Sequence, residues 1–136
     1  MKRGVFCAAV ALACASCGNP HGFAPVSGKV MYRGAPAVGA AVFFHRRGAD
    51  PLGEQTIMGI VQPDGSFTLD CGALGKGAPP GEYEVLVHWR HPHPAKGKAT
   101  KGTDRLKGRY ADPARPLLHA IVKAGPNSLP PFELTD

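Results

Sequence analysis

The stretch Ala78–Trp89, "APPGEYEVLVHW", decides the fold. Pro79, Pro80 and Gly81 make a turn, because proline fixes φ and glycine tolerates conformations other residues avoid. Beyond the turn, Tyr83, Val85, Val87 and Trp89 point one way; Glu82, Glu84, Leu86 and His88 point the other. Period-two alternation of this kind marks a half-buried strand. Trp89 on the apolar face is the large packing residue a sandwich core needs. We therefore read the stretch as a core strand and not as the rim of a catalytic site.

Working outward, the same grammar repeats. "VSGKVMY" alternates, with Val26, Gly28, Val30 and Tyr32 on one face, and "RGAPAVG" breaks it. "AAVFFH" is apolar on both parities, as an interior strand is. After the loop "RRGADPLGE", "QTIMGIV" forms a third strand. In "QPDGSFTL" Asp64-Gly65 makes a hairpin turn, and the next strand puts Phe67, Leu69 and Cys71 on one face. Cys71 thus reads as a small core residue first and a reactive thiol second. Order resumes after Pro116 with "LLHAIVKAG", a turn at Gly125-Pro126-Asn127, and a closing strand around Phe132 and Leu134. The expectation is an all-β domain over residues 26–136: an antiparallel seven-stranded sandwich, transthyretin-like or immunoglobulin-like.

The 136-residue chain opens with an export signal. Lys2 and Arg3 precede an eleven-residue apolar run, Val5 to Ala15, too short to span a bilayer. "ASCGNP" resembles the lipobox of bacterial lipoproteins, with a small residue before a cysteine that becomes lipid-modified. Cys17 is the attachment residue we favour, although Cys14 replaces the usual leucine. Cys14, preceded by "ALA", is an alternative, and the same "ALA" would serve as an ordinary cleavage site. Residues 1–16 are then the signal and 17–25 a tether reaching at most about 30 Å. A lipid on Cys17 leaves Cys71 as the free thiol of the mature chain; without lipid, Cys71 could pair with Cys14 or Cys17.

"HGFAPVSGKVMYRGAPAVGAAVFF", "GIVQPDGSFTL", "PPGEYEVLV" and "LKGRYADP" follow one another as in short bacterial exported lipoproteins with a carboxypeptidase regulatory-like domain. The resemblance spans roughly Pro20 to Leu134 and implies a transthyretin-like sandwich. Its motifs are structural. In the carboxypeptidases that name the family this domain is an accessory to the enzyme, so the resemblance brings no catalytic residue with it.

A search for chemistry agrees with that. The mature serines, Ser27, Ser66 and Ser128, sit in or beside strands and turns, outside any G-x-S-x-G context. No glycine-rich phosphate loop leads into a helix, and no cofactor is expected. "HWRHPHP" carries His88, His91 and His93, whose imidazoles suit zinc, copper or nickel. A small exported metal-binding protein is the alternative reading; the simpler one is a solvated, proline-stiffened linker.

Charge is more informative. Between Arg90 and Arg115 the chain holds eight basic residues against Asp104 and Asp112, a net of +6 that equals the formal charge of the whole chain. This long loop, residues 90–116, is the candidate binding surface, through Arg90, Lys96, Lys98, Lys101, Arg105, Lys107 and Arg109. Anionic lipid, a polyanion or an acidic envelope protein would suit it. Nucleic acid is not expected, because the chain is exported and only Tyr110 in the loop could stack on a base. The reading is a non-enzymatic module, lipid-anchored in the cell envelope, the outer membrane favoured over the inner, facing periplasm or cell surface.

Overall fold

A computed structural model describes residues 22–49, 55–90 and 103–136. The residues expected to form the signal, Cys17 and residues 91–102 of the basic segment lie outside them. Among the described residues the strands are β1 (Val26–Tyr32), β2 (Ala35–Pro36), β3 (Ala41–Arg46), β4 (Ile57–Ile60) and β5 (Ser66–Thr68). They continue with β6 (Gly81–His88), β7 (Leu118–Val122), β8 (Asn127–Ser128) and β9 (Phe132–Leu134). Among the described residues the one helical element is a single 3-10 turn at Gly72–Leu74. Two of the nine strands, β2 and β8, have two residues each, which leaves seven longer ones.

The strands form two sheets. One is fully antiparallel in the order β4-β3-β6-β7. The other is built around β1, whose backbone serves its two edges alternately. Val26 and Val30 face β5 and the turn before it: Leu69 N–H donates to Val26 O at 3.0 Å, and Val30 N–H to Gly65 O at 2.9 Å. Ser27 faces the other way, its carbonyl accepting from Leu129 N–H at 2.8 Å. On that second edge β8 and β9 run parallel to β1, so the pairing is mixed and not antiparallel throughout. The reason is topological. The chain reaches β8 from β7, in the opposite sheet, and a strand that changes sheets is free of hairpin direction.

The Asp64-Gly65 turn does close a hairpin. Gln62 N–H donates to Ser66 O at 2.7 Å, and Met58 and Asp70 exchange backbone bonds of 3.0 and 2.8 Å. Between those two points the arms part, β4 pairing with β3 and β5 with β1. The hairpin thereby joins the two sheets along one side. Gly59 makes the bend feasible, since a Cβ there would lie 2.5 Å from the Thr68 carbonyl oxygen.

The core has the composition the alternation requires. Val26, Val30, Val42, Phe44, Phe67, Leu69, Tyr83, Val85 and Val87 are all buried, and Cys71 lies with them. Trp89 is 8% exposed and donates its indole N–H to Val38 O at 2.9 Å. Tyr83 adds a fastening: its hydroxyl donates to Pro79 O at 2.6 Å and fixes the Pro79–Gly81 turn against its own strand. Each such side chain contributes roughly 1.5–3 kcal/mol by leaving water.

Candidate functional site

The site starts where β7 ends. β6 has eight residues and β7 five; their pairing stops at Val85–Leu118. Backbone groups of β6 past that point need other partners, because an unpaired buried N–H is costly. Residues 104–110 supply them. Val87 N–H donates to Tyr110 O at 2.8 Å, Arg105 N–H donates to Trp89 O at 2.6 Å, and Arg90 pairs with Asp104.

Asp104 holds this arrangement. Its Oδ1 accepts from Trp89 N–H at 3.0 Å and Leu106 N–H at 3.2 Å, and its Oδ2 accepts from Gly108 N–H at 2.9 Å. A carboxylate on three backbone amides is a strong local staple. The turn it organises drives Leu106 and Tyr110 into the core, both buried. Tyr110 Oη accepts from Thr135 N–H at 3.1 Å. The second half of the expected long loop is therefore folded against the sandwich.

This changes the standing of the cations. Arg105 lays its guanidinium 4.7 Å from the centre of the Trp89 ring, whose edge contact with Tyr32 is 5.5 Å between centroids. Arg109 donates to the Asp136 carbonyl at 2.8 Å and lies 5.8 Å from the Tyr110 ring centre. Arg33 and Tyr32 both bond the Asp136 carboxylate. Arg90 and Lys107 are exposed, Lys107 in the left-handed region at φ 54°. Lys96, Lys98 and Lys101 lie outside the described residues, as do His91 and His93.

Of the three histidines, His88 is the one among the described residues. Its ring meets Phe43 edge-on at 5.2 Å. Burial pulls its pKa below the ordinary imidazole value, while Asp104 acts in the opposite direction. His88 borders a groove of about 370 Å³ over Leu86, with His45, Glu84, Ala111 and Pro113 around it. Among the described residues no three His, Cys, Asp or Glu side chains are grouped to hold a metal ion. Ser66 donates its hydroxyl to Asp64 at 2.6 Å, a turn contact within the hairpin.

In the sequence Asp104 stands out only as one of two carboxylates set against the basic residues. The signal that could have revealed it is local: Asp104 is followed by Gly108, with Leu106 and Tyr110 as apolar anchors inside a supposed linker.

No family model matches the chain, and no curated protein does. Solved structures similar to it include crystal structures of DUF3823 family proteins from Bacteroides ovatus ATCC 8483 and Parabacteroides merdae ATCC 43184. Each is 15% identical, with TM-scores of 0.43 and 0.41 over 79% and 81% of this chain. The chain spans 44% of the length of either one, and likeness at that level assigns no function.

Proposed function

We propose that this chain is a non-enzymatic β-sandwich module of the carboxypeptidase regulatory-like type. It is held at the cell envelope by a lipid on Cys17, and it binds or scaffolds through its basic segment. One observation carries the reading: the pairing of Arg90 with Asp104, locked by the Asp104 carboxylate on Trp89 N–H. Arg90 and Asp104, on either side of residues 91–102 in the sequence, are thus held next to each other. By sequence residues 91–102 carry Lys96, Lys98 and Lys101 and no carboxylate. A cationic segment based on a rigid sheet end suits contact with an anionic surface.

The tether supports the membrane version. At about 30 Å or less it keeps the domain near the bilayer, where each cation close to an anionic surface is worth about 1 kcal/mol. The test replaces Lys96, Lys98, Lys101 and Lys107 with Gln and measures cosedimentation with vesicles containing phosphatidylglycerol. At low salt we expect binding to fall roughly a hundredfold or more, about 1.4 kcal/mol per factor of ten. Vesicle binding that is indifferent both to these substitutions and to salt rules the reading out.

A further inference from the structure

The four-stranded sheet has two edges, and they differ. The β4 edge is closed off by the Met58–Asp70 bridge to the other sheet. Along β7, β6 is the one strand partner among the described residues. An open edge presents unpaired N–H and C=O groups, which proteins usually blunt with charge, proline or a bulge. The facing β8–β9 segment is blunted in that way by Pro130 and Pro131. β7 itself, "LHAIV", contains no proline, lysine or carboxylate. Leu117, just before the strand, and Ile121 within it are 50% and 59% exposed. Beside this edge lies a groove of about 470 Å³, lined by His119, Ile121, Lys123, Leu129, Pro131 and Phe132.

We propose that the β7 edge takes up an extended, apolar and acidic polypeptide strand from another protein by β-addition. The outward backbone groups of Leu118–Val122 supply the hydrogen-bond ladder for such a strand. Its alternate side chains enter the groove, whose wall of Ile121, Leu129, Pro131 and Phe132 selects apolar ones. Charge selects the rest. The ionisable groups lining the groove are His119 and Lys123, with no carboxylate among them. On β6, Glu84 stands opposite His119, and Glu82, opposite Ile121, is paired with Arg47 at 3.6 Å, so Lys123 carries the charge selection. A second copy of this chain would bring the same Lys123 to the groove, whereas an acidic strand supplies its complement. The inference goes beyond the basic-segment reading and is independent of it, since none of the lysines tested there lines this groove.

The probe is a synthetic strand of roughly eight residues, valine alternating with threonine and glutamate at both ends, beside a twin with lysine for glutamate. Titrated into the full chain, the glutamate peptide should shift amide resonances in residues 117–123 and 129–132. It should bind about fivefold more tightly than its twin, as one well-placed charge allows. Ile121→Glu, at an exposed position, should weaken binding about tenfold or more with the thermal midpoint unchanged. Lys123→Glu should invert the preference between the peptides, and it keeps the test valid should Ile121→Glu perturb folding. No shift at millimolar peptide, equal binding of the twins, or shifts confined to other strands overturns the proposal. So does self-association that Ile121→Glu abolishes, which assigns the edge to a second copy.

Discussion

Asp104→Ala tests the site at its hinge. The wild-type carboxylate receives three backbone amides, from Trp89, Leu106 and Gly108, at 3.0, 3.2 and 2.9 Å. A hydrogen bond to a charged group is worth about 1.5–3 kcal/mol, and an orphaned buried donor costs a similar amount. Asp104 is half-buried, so the lower figure applies, and water can reach the Gly108 amide once the carboxylate is gone. We expect a net loss of about 3 kcal/mol, a large part of the roughly 5–15 kcal/mol that a domain holds. In urea, with a slope of about 2 kcal/mol per molar, the midpoint should fall by about 1.5 M. Trp89 is the only tryptophan in the chain, so its emission reports the same event locally. Once Arg105 and Leu106 are released, the indole should become more exposed and its emission should move to the red under native conditions. Asp104→Asn keeps an oxygen for Trp89 and Leu106 but turns an N–H toward Gly108, and should cost about half as much. An Asp104→Ala protein within about 0.5 kcal/mol of wild type, with unshifted emission, would refute the idea that one carboxylate ties residues 104–110 to β6.

Gly59→Ala should cost about 1–2 kcal/mol in thermal melts. The new methyl meets the Thr68 carbonyl, a backbone atom that cannot rotate away, and the entropy gained on replacing glycine offsets part of that. A neutral result would mean the hairpin arms separate more easily than their packing suggests. For His88, burial lowers the folded pKa, so the folded state takes the proton less readily than the unfolded chain. Its contribution to stability is complete above the unfolded value near 6.5 and is lost as pH falls through it toward the folded one. The drop in urea midpoint between pH 7.5 and pH 5 should accordingly be larger in wild type than in His88→Gln; parallel curves count against it. Cys71 is 3% exposed, and burial followed by the Asp70 charge raises its pKa. A thiol reagent should label it slowly in buffer and completely in urea, and fast native labelling would contradict its place in the core.

Most of the sandwich was legible because its information is local. The alternation Tyr83, Val85, Val87, Trp89 fixes a buried face without knowledge of any partner, and Asp64-Gly65 fixes a turn from two residues. Strand direction in the β1 sheet was not legible. Nothing in "NSLPPFEL" says that Asn127–Ser128 and Phe132–Leu134 lie parallel to β1, a hundred residues earlier, and not antiparallel to β7. Leu86 was half legible. Alternation places it on the outer face, yet it is 4% exposed, because residues from the supposed loop wall that face.

Residues 103–116 show no period in the sequence, yet residues 104–110 fold against β6. Strand lengths give the missing constraint: a core strand of eight residues beside one of five leaves the backbone around Val87 and Trp89 unprovided for. Some non-periodic chain has to dock there, and a short Asp-to-Gly turn with two apolar anchors is the segment equipped to do it. The same requirement revises the charge argument. Eight basic residues in a stretch suggest a uniformly cationic loop, but Arg105 covers Trp89 and Arg109 ties to Asp136. Those two guanidiniums are held by aromatic rings and a carbonyl whether or not an anion is present. The cationic contact is therefore proposed to rest on the lysines, and Arg105→Ala should loosen Trp89 in fluorescence while leaving vesicle binding nearly intact. Vesicle binding lost as completely as in the lysine substitutions would put Arg105 in the contact surface and remove its purely structural role.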